Sequence, residues 1–311
     1  MALRKLRVIF TTRSVVSEEK KESRTDKLLR ILQVPDDFKD PTLPNGLFSH
    51  SQYNSWLICG RAYEYKYVTK YATPEYVATS CGSAVHSGIE HTLVNKMAGK
   101  IVPIEEGLEL VAKIIDEKAK LIVDWGVGGD DEMTAEKLKA KALRLYRTFY
   151  VNALNKINPV AIEKGFAKRL GDVPVIGYID LVDEQPALIV PGMSPEEAAT
   201  APVKRVTVDF KTARAKWSKA QLDTNTQLTM YAFVEGTPHV RVDQLVDLKS
   251  GPVYHRGESQ RNAIDAEVFV DHLNQVADFV RKGIFPMTDI GSWACNVDHC
   301  SFWKLCRGKK R

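Results

Sequence analysis

The chain has 311 residues, 44% hydrophobic and 27% charged, with five cysteines and a formal net charge of +5. That balance excludes wholesale disorder, collagen-like repeats and a coiled-coil rod, and the length suits one large domain or two average ones. No apolar run approaches the roughly 20 residues of a membrane-spanning helix. The basic start from Met1 to Phe10 lacks the long apolar stretch and small-residue cleavage site of a secretory signal. A cytoplasmic protein with no membrane partner is expected. In that compartment cysteines serve as core residues, metal ligands or reactive thiols rather than as a disulfide framework.

Residues 1–45 read as a charged, loosely ordered leader. Ser14 to Arg30 alternates in charge with room for one short helix, and Asp36 to Asn45 carries Pro41 and Pro44. Residues 46–311 read as a single domain in three parts: a helical part (46–158), an α/β core (159–282), and a cysteine-rich segment with a basic tail (283–311). Ser49-His50-Ser51-Gln52 opens a helix that carries Tyr53, Trp56, Leu57 and Ile58. Tyrosines at 63, 65, 67 and 71 follow, with core packing as the main expected use. Further helices are expected over Cys81–Ala98, Ile104–Val123 and Thr134–Asn155, with a break at Gly126–Asp131.

After Pro159 the period changes to two. Val160–Arg169 and Val173–Asp183 read as a hairpin around Leu170-Gly171-Asp172. Gln185–Pro202 reads as a loop. Arg205–Phe210 is a strand, Lys216–Glu235 a helix, Val240–Leu248 and Val253–Arg256 strands, and Asn262–Lys282 the last long helix. The expected fold class is α/β, a mixed sheet flanked by helices and carrying a helical N-terminal part.

Charge is unevenly placed. Ser301 to Arg311 holds Lys304, Arg307, Lys309, Lys310 and Arg311 with no acid. Val203 to Lys219 holds Lys204, Arg205, Lys211, Arg214, Lys216 and Lys219 against Asp209 alone. Such clusters suit a polyanion, nucleic acid first, or else form a solvated face with a loose tail.

Two strands carry acids. Asp180 stands near the expected end of one, and Asp209 and Lys211 near the end of the next. Residues two apart on a strand share a face, so Asp209 and Lys211 point one way and Phe210 the other. Neighbouring strands would bring Asp180 to the same spot. Close carboxylates repel unless a cation lies between them, and Mg²⁺ with open positions suits such a pair. A lysine there could orient water and offset charge on a scissile phosphate. Taken alone, Asp-x-Lys is more often a surface ion pair.

Around these lie Gly82-Ser83-Ala84-Val85-His86 upstream and Gln227-Leu228-Thr229-Met230-Tyr231 downstream. Gln227 and Tyr231 share a helix face. The ordered set resembles the RecB-like branch of the PD-(D/E)XK nuclease superfamily, which shows Gly-x-x-x-His, Gly-x-x-Asp, Asp-x-Lys and Gln-x-x-x-Tyr in this order. Here they are Gly82 to His86, Gly177 to Asp180, Asp209 to Lys211, and Gln227 to Tyr231. The resemblance spans roughly Ser49 to Cys306 and implies a restriction-endonuclease-like core. It implies His86, Asp180, Asp209 and the main-chain carbonyl of Phe210 as ligands of Mg²⁺ or Mn²⁺, the imidazole favouring Mn²⁺. It implies that Lys211 positions the attacking water and stabilises developing charge. Gln227 and Tyr231 would orient the centre or touch the DNA backbone. Without the other motifs His86 would read as a hydrogen-bonded core histidine.

Cys295, Cys300 and Cys306 fall within twelve residues, and Cys59 is the candidate fourth ligand. A subset of RecB-like nucleases holds a [4Fe–4S] cluster with one cysteine before the nuclease motifs and three after. The chain is similar to that subset, except that four residues rather than two separate Cys295 from Cys300. Zinc held by three cysteines and His299 is the alternative. Cys81 reads as a small core residue.

The implied function is a metal-dependent DNA exonuclease acting at DNA ends in recombination, repair or DNA processing. Lys204, Arg205, Arg214, Lys216 and Lys219 would track the strand. A phosphate loop of the Gly-x-x-x-x-Gly-Lys-Ser/Thr form is absent from the sequence, so a helicase or a strand-annealing recombinase would be a separate partner. The alternative is a catalytically silent nuclease fold that binds DNA.

Overall fold

A computed structural model describes residues 24–122, 125, 133–186, 194, 202–297 and 299–308. Residues 1–23 of the leader, the expected break at Gly126–Asp131, most of the Gln185–Pro202 loop, and Lys309, Lys310 and Arg311 of the tail lie outside them.

Five strands form one sheet in the order β1 (Pro159–Leu170), β2 (Val173–Pro186), β3 (Val203–Ala213), β4 (His239–Leu248) and β5 (Gly251–Gln260). All neighbours are antiparallel except β3 and β4. The β1–β2 hairpin turns at Gly171, whose φ of +66° a residue with a side chain rarely adopts. The parallel pair needs a crossover, and α7 (Lys219–Asp223) and α8 (Thr226–Glu235) supply it. A single helix over Lys216–Glu235 was the sequence expectation. The chain breaks at Thr224–Asn225 instead, because Asn225 caps α8 through Leu228 N–H. The buried Arg261 guanidinium donates to the carbonyls of Leu222 and Asn225 at the break.

Along the chain, α1 (Arg24–Ile31), α2 (His50–Ile58) and α3 (Gly60–Tyr63) precede α4 (Val77–Met97), α5 (Ile104–Ala119) and α6 (Ala135–Asn152). Ser49 caps α2 through Gln52 N–H and Thr134 caps α6 through Lys137 N–H, as the sequence suggests. Helix α4 begins four residues earlier than expected, where Thr79 Oγ1 accepts the N–H of Tyr76. After the sheet come α9 (Ala263–Arg281), capped by Asn262, and the short α10 (Trp303–Arg307).

Helices α4, α5 and α6 cover one sheet face, packing on Val206, Val208, Phe210 and Leu181. The other face packs against α2, α8 and α9 through Val175, Ile179 and Val182. The mixed sheet between helices, with its helical N-terminal part, is the α/β class expected.

Two placements differ from the sequence reading. Residues 24–45 are not loosely attached: Leu28, Leu29 and Leu43 are buried, and Arg281 pairs with Asp40 at 2.8 Å. The cause is a smooth patch of sheet, since Leu28 Cδ1 lies where a Cβ on Gly165 would stand. Asp180 lies in the middle of β2 rather than near its end, because β2 runs on to Pro186.

Candidate active site

Strand β2 pairs with β3 only from Leu181↔Val208 to Pro186↔Val203. Before Leu181 it pairs with β1 alone. Asp180 therefore stands at a fork. Its Oδ2 accepts the main-chain N–H of Phe210 at 2.9 Å, on the strand that β2 is leaving. Asp209 is 2% exposed, and Lys211 Nζ lies 2.7 Å from Asp209 Oδ2. The Phe210 ring turns the other way, edge-on to His86 and to Phe149.

Helix α4 brings His86 Nδ1 to 3.6 Å from Asp180 Oδ2. Helix α8 brings Gln227, whose Oε1 accepts from Lys211 Nζ at 3.3 Å and whose Nε2 donates to the Tyr231 hydroxyl at 2.7 Å. The tertiary fold thus gathers His86, Asp180, Asp209, Phe210, Lys211, Gln227 and Tyr231 from two strands and two helices on opposite sheet faces.

Burial first, and the Asp209 carboxylate second, push Asp180 up to about 6. Burial opposes the charge on Lys211, but Asp209 outweighs it and raises the ammonium above its ordinary value. Burial raises Tyr231 further, with Asp209 and Asp180 adding to it. Among the described residues no three His, Cys, Asp or Glu side chains are already drawn into an ion site. The donor chemistry nonetheless fits a divalent cation. Two oxygen ligands repel each other strongly enough to disturb one ionisation, and an imidazole stands beside them.

One residue near Lys211 was missed. His50, at the start of α2, shares a 2.9 Å hydrogen bond with Thr226 Oγ1. Burial, then the charge of Lys211, lowers it to about 4. In the sequence His50 is only part of a helix start; the packing of α2 on α8 brings it here.

The basic residues do not form one group. Arg214 and Lys216 are exposed just beyond the Lys211 end of β3. Arg205 pairs with Glu184 at 3.0 Å, and Lys219 pairs with Asp223 at 2.7 Å. Lys204 and Lys219 line a cavity with Asp223, His239 and Glu258, at the end of β3 away from Lys211.

Cys59 at the end of α2, Cys295, Cys300 and Cys306 line one cavity of about 470 Å³, with His299 on the same wall. Burial pushes the Cys300 thiol up, and Cys59, Cys306 and Cys295 act on it in turn. Arg307 donates to Cys295 Sγ at 3.4 Å, and Cys306 Sγ lies 3.7 Å from Met287 Sδ. The four sulfurs face one cavity, but among the described residues no three such side chains are drawn into an ion site. Cys81 is separate, 2% exposed, its thiol pushed up to about 11 by burial. No helix among the described residues is long and apolar enough to cross a membrane.

No curated protein matches the chain significantly. Among solved structures, a "Putative exonuclease" from Eubacterium rectale is similar at 13% identity, with a TM-score of 0.46 over 80% of this chain and 86% of that one. A structure described only as SSO0001 is similar at 10% identity, with a TM-score of 0.37 over 92% of this chain and 95% of that one. The family model of the PD-(D/E)XK nuclease superfamily matches residues 47–307, which include the fork, both flanking helices and Cys59, Cys295, Cys300 and Cys306. The chain belongs to the PD-(D/E)XK nuclease superfamily.

Proposed function

We propose that the protein is a divalent-metal-dependent DNA exonuclease that hydrolyses phosphodiester bonds at DNA ends. One observation carries the catalytic part: Asp180, Asp209 and Lys211 converge where β2 leaves β3. The exonuclease part rests on the RecB-like order of motifs. Asp180, Asp209, the Phe210 carbonyl and His86 would hold the cation. When bound, that ion offsets phosphate charge and makes water a better nucleophile.

The chain's own groups do the rest. Lys211 is kept charged by Asp209 and steadied by Gln227, so it serves as a donor to the attacking water or the scissile phosphate rather than as a base. Tyr231 stays protonated and fixes Gln227. Arg214 and Lys216 lie nearest the site for backbone contact. Cys59, Cys295, Cys300 and Cys306 would hold a [4Fe–4S] cluster, with zinc on three cysteines and His299 as the alternative. Either would tie the end of α2 to the C-terminal segment.

The test uses end-labelled linear DNA and covalently closed circles, single- and double-stranded, with Mg²⁺ or Mn²⁺. Wild type and Lys211→Ala are purified without oxygen. Degradation of linear DNA alone, lost in the variant, supports the reading. Cleavage of circles replaces exonuclease with endonuclease. An unaffected variant shows that the site is elsewhere.

A further inference from the structure

Lys211 has two partners of unequal strength. Asp209 Oδ2 lies 2.7 Å from its Nζ, whereas Gln227 Oε1 accepts from it at 3.3 Å, just beyond the usual range. Asp209 draws the ammonium onto a carboxylate that the cation also needs, and Gln227 draws it away. A small displacement of α8 breaks the weaker bond and leaves Lys211 on Asp209 alone. Whatever fixes the start of α8 therefore bears on the site.

Thr226 and Gln227 are the first two residues of α8. Asn225 caps the helix, and Arg261 donates to Asn225 O at 3.3 Å and to Thr229 Oγ1 at 2.8 Å. A further tie comes from α2, where His50 Nε2 shares a 2.9 Å hydrogen bond with Thr226 Oγ1, 176 positions away in sequence.

His50 stands on a clamped helix. The Tyr53 ring, 6.0 Å from the His50 ring, packs edge-on to Phe269 of α9 at 5.5 Å. The Trp56 ring stacks on Phe279 at 5.3 Å, and its indole N–H donates to Ile284 O at 3.1 Å. Gln52 donates to Leu47 O and accepts from the Tyr63 hydroxyl, each at 3.2 Å. The side-chain chemistry also suits the place. A lysine or arginine at position 50 would repel Lys211, and a carboxylate would compete with Asp209 for it. An imidazole kept neutral by burial and by Lys211 bonds Thr226 without doing either.

We propose that His50 is a positioning residue of the nuclease site: through Thr226 it holds the first turn of α8, and with it the Gln227 acceptor, against Lys211. The inference rests on the reading of the site given above. Its effect falls on the cleavage step, because an oriented ammonium serves the transition state.

The test is single-turnover cleavage of end-labelled DNA with Mg²⁺ or Mn²⁺, with DNA binding titrated separately in chelator. Wild type is compared with His50→Ala, Thr226→Val, Gln227→Ala, Lys211→Ala and the double variant His50→Ala with Gln227→Ala. His50→Ala and Thr226→Val should each cleave about tenfold more slowly, the rate equivalent of one lost hydrogen bond, with DNA affinity unchanged. In the Gln227→Ala background His50→Ala should cost nothing further, since the group it positions is gone. A loss caused by general destabilisation would persist in that background. A wild-type rate in His50→Ala, Thr226→Val or Gln227→Ala overturns the inference, as does a His50→Ala loss undiminished by Gln227→Ala. With Lys211→Ala still inactive, those results leave the site reading intact. A wild-type rate in Lys211→Ala overturns both. If His50→Ala does not fold, Thr226→Val combined with Gln227→Ala completes the same cycle.

Discussion

The Asp180 carboxylate accepts the main-chain N–H of Phe210 at 2.9 Å, so a side chain of β2 bonds β3 just where the strand ladder stops. This bond sets Asp180 beside the neighbouring carboxylate, Asp209, and so creates the electrostatic conflict at the centre of the site. A cation relieves that conflict, and so does protonation of Asp180.

Lys211→Ala should reduce DNA cleavage by about 10²-fold or more, the usual consequence of losing a preorganised donor to a charged transition state. DNA binding should change little, since exposed Arg214 and Lys216 remain. Single-turnover cleavage and a binding titration separate the two. A loss of binding as large as the loss of cleavage would remove Lys211 from the chemical step.

Asp180→Asn should abolish cleavage yet stabilise the metal-free chain. The folded carboxyl titrates at about 6, above its unfolded value of 3.8. Between those values the folded state binds more protons than the unfolded one, so stability falls as pH rises through that window. The full cost is present above about pH 6, and the amide escapes it. The expected gain at pH 8 is about 3 kcal/mol, shrinking to little below about pH 4. Urea unfolding at several pH values with a chelator present measures this; a gain independent of pH would contradict the assigned cause.

Arg241→Ala should destabilise the fold by about 3–5 kcal/mol, because it removes the buried cation shared by two buried carboxylates. The guanidinium is fully buried and donates to Asp183 at 2.6 Å and to Asp243 at 2.9 and 3.0 Å. These bonds tie β2 to β4 across β3. Chemical denaturation checks the magnitude, and a loss below about 1 kcal/mol would mean that water reaches the pair.

Anaerobically purified protein should carry about four irons per chain, with matching sulfide. Cys300→Ser should lose most of the iron, since Cys300 interacts with each of the other three cysteines. His299→Ala should keep it. Zinc in wild type, lost in His299→Ala, would select the three-cysteine, one-histidine alternative.

Much of the sheet was legible because its strands are Val-, Ile- and Thr-rich runs bounded by turn residues such as Gly171 and Gly251, and helix starts were marked by Ser49, Thr134 and Asn262. Where local pattern misled, a tertiary contact had overridden it. The helix expected over Lys216–Glu235 breaks where Asn225 caps a new helix and Arg261, far along the chain, donates to the carbonyls of Leu222 and Asn225. The leader looked polar and loose, yet Leu28 and Leu29 find an apolar patch on β1 that its charged neighbours gave no sign of.

The sequence by itself determined the chemistry available: a histidine, two aspartates, a lysine, a glutamine and a tyrosine in a fixed order, and four cysteines split between the two ends. Residue type and spacing along one element are local properties and survive in one dimension. Only the tertiary structure decided that Asp180 stands at a fork and that His50 comes beside Lys211. Those relations depend on strand register and helix packing, which bring together residues with nothing in their own neighbourhoods to announce the meeting.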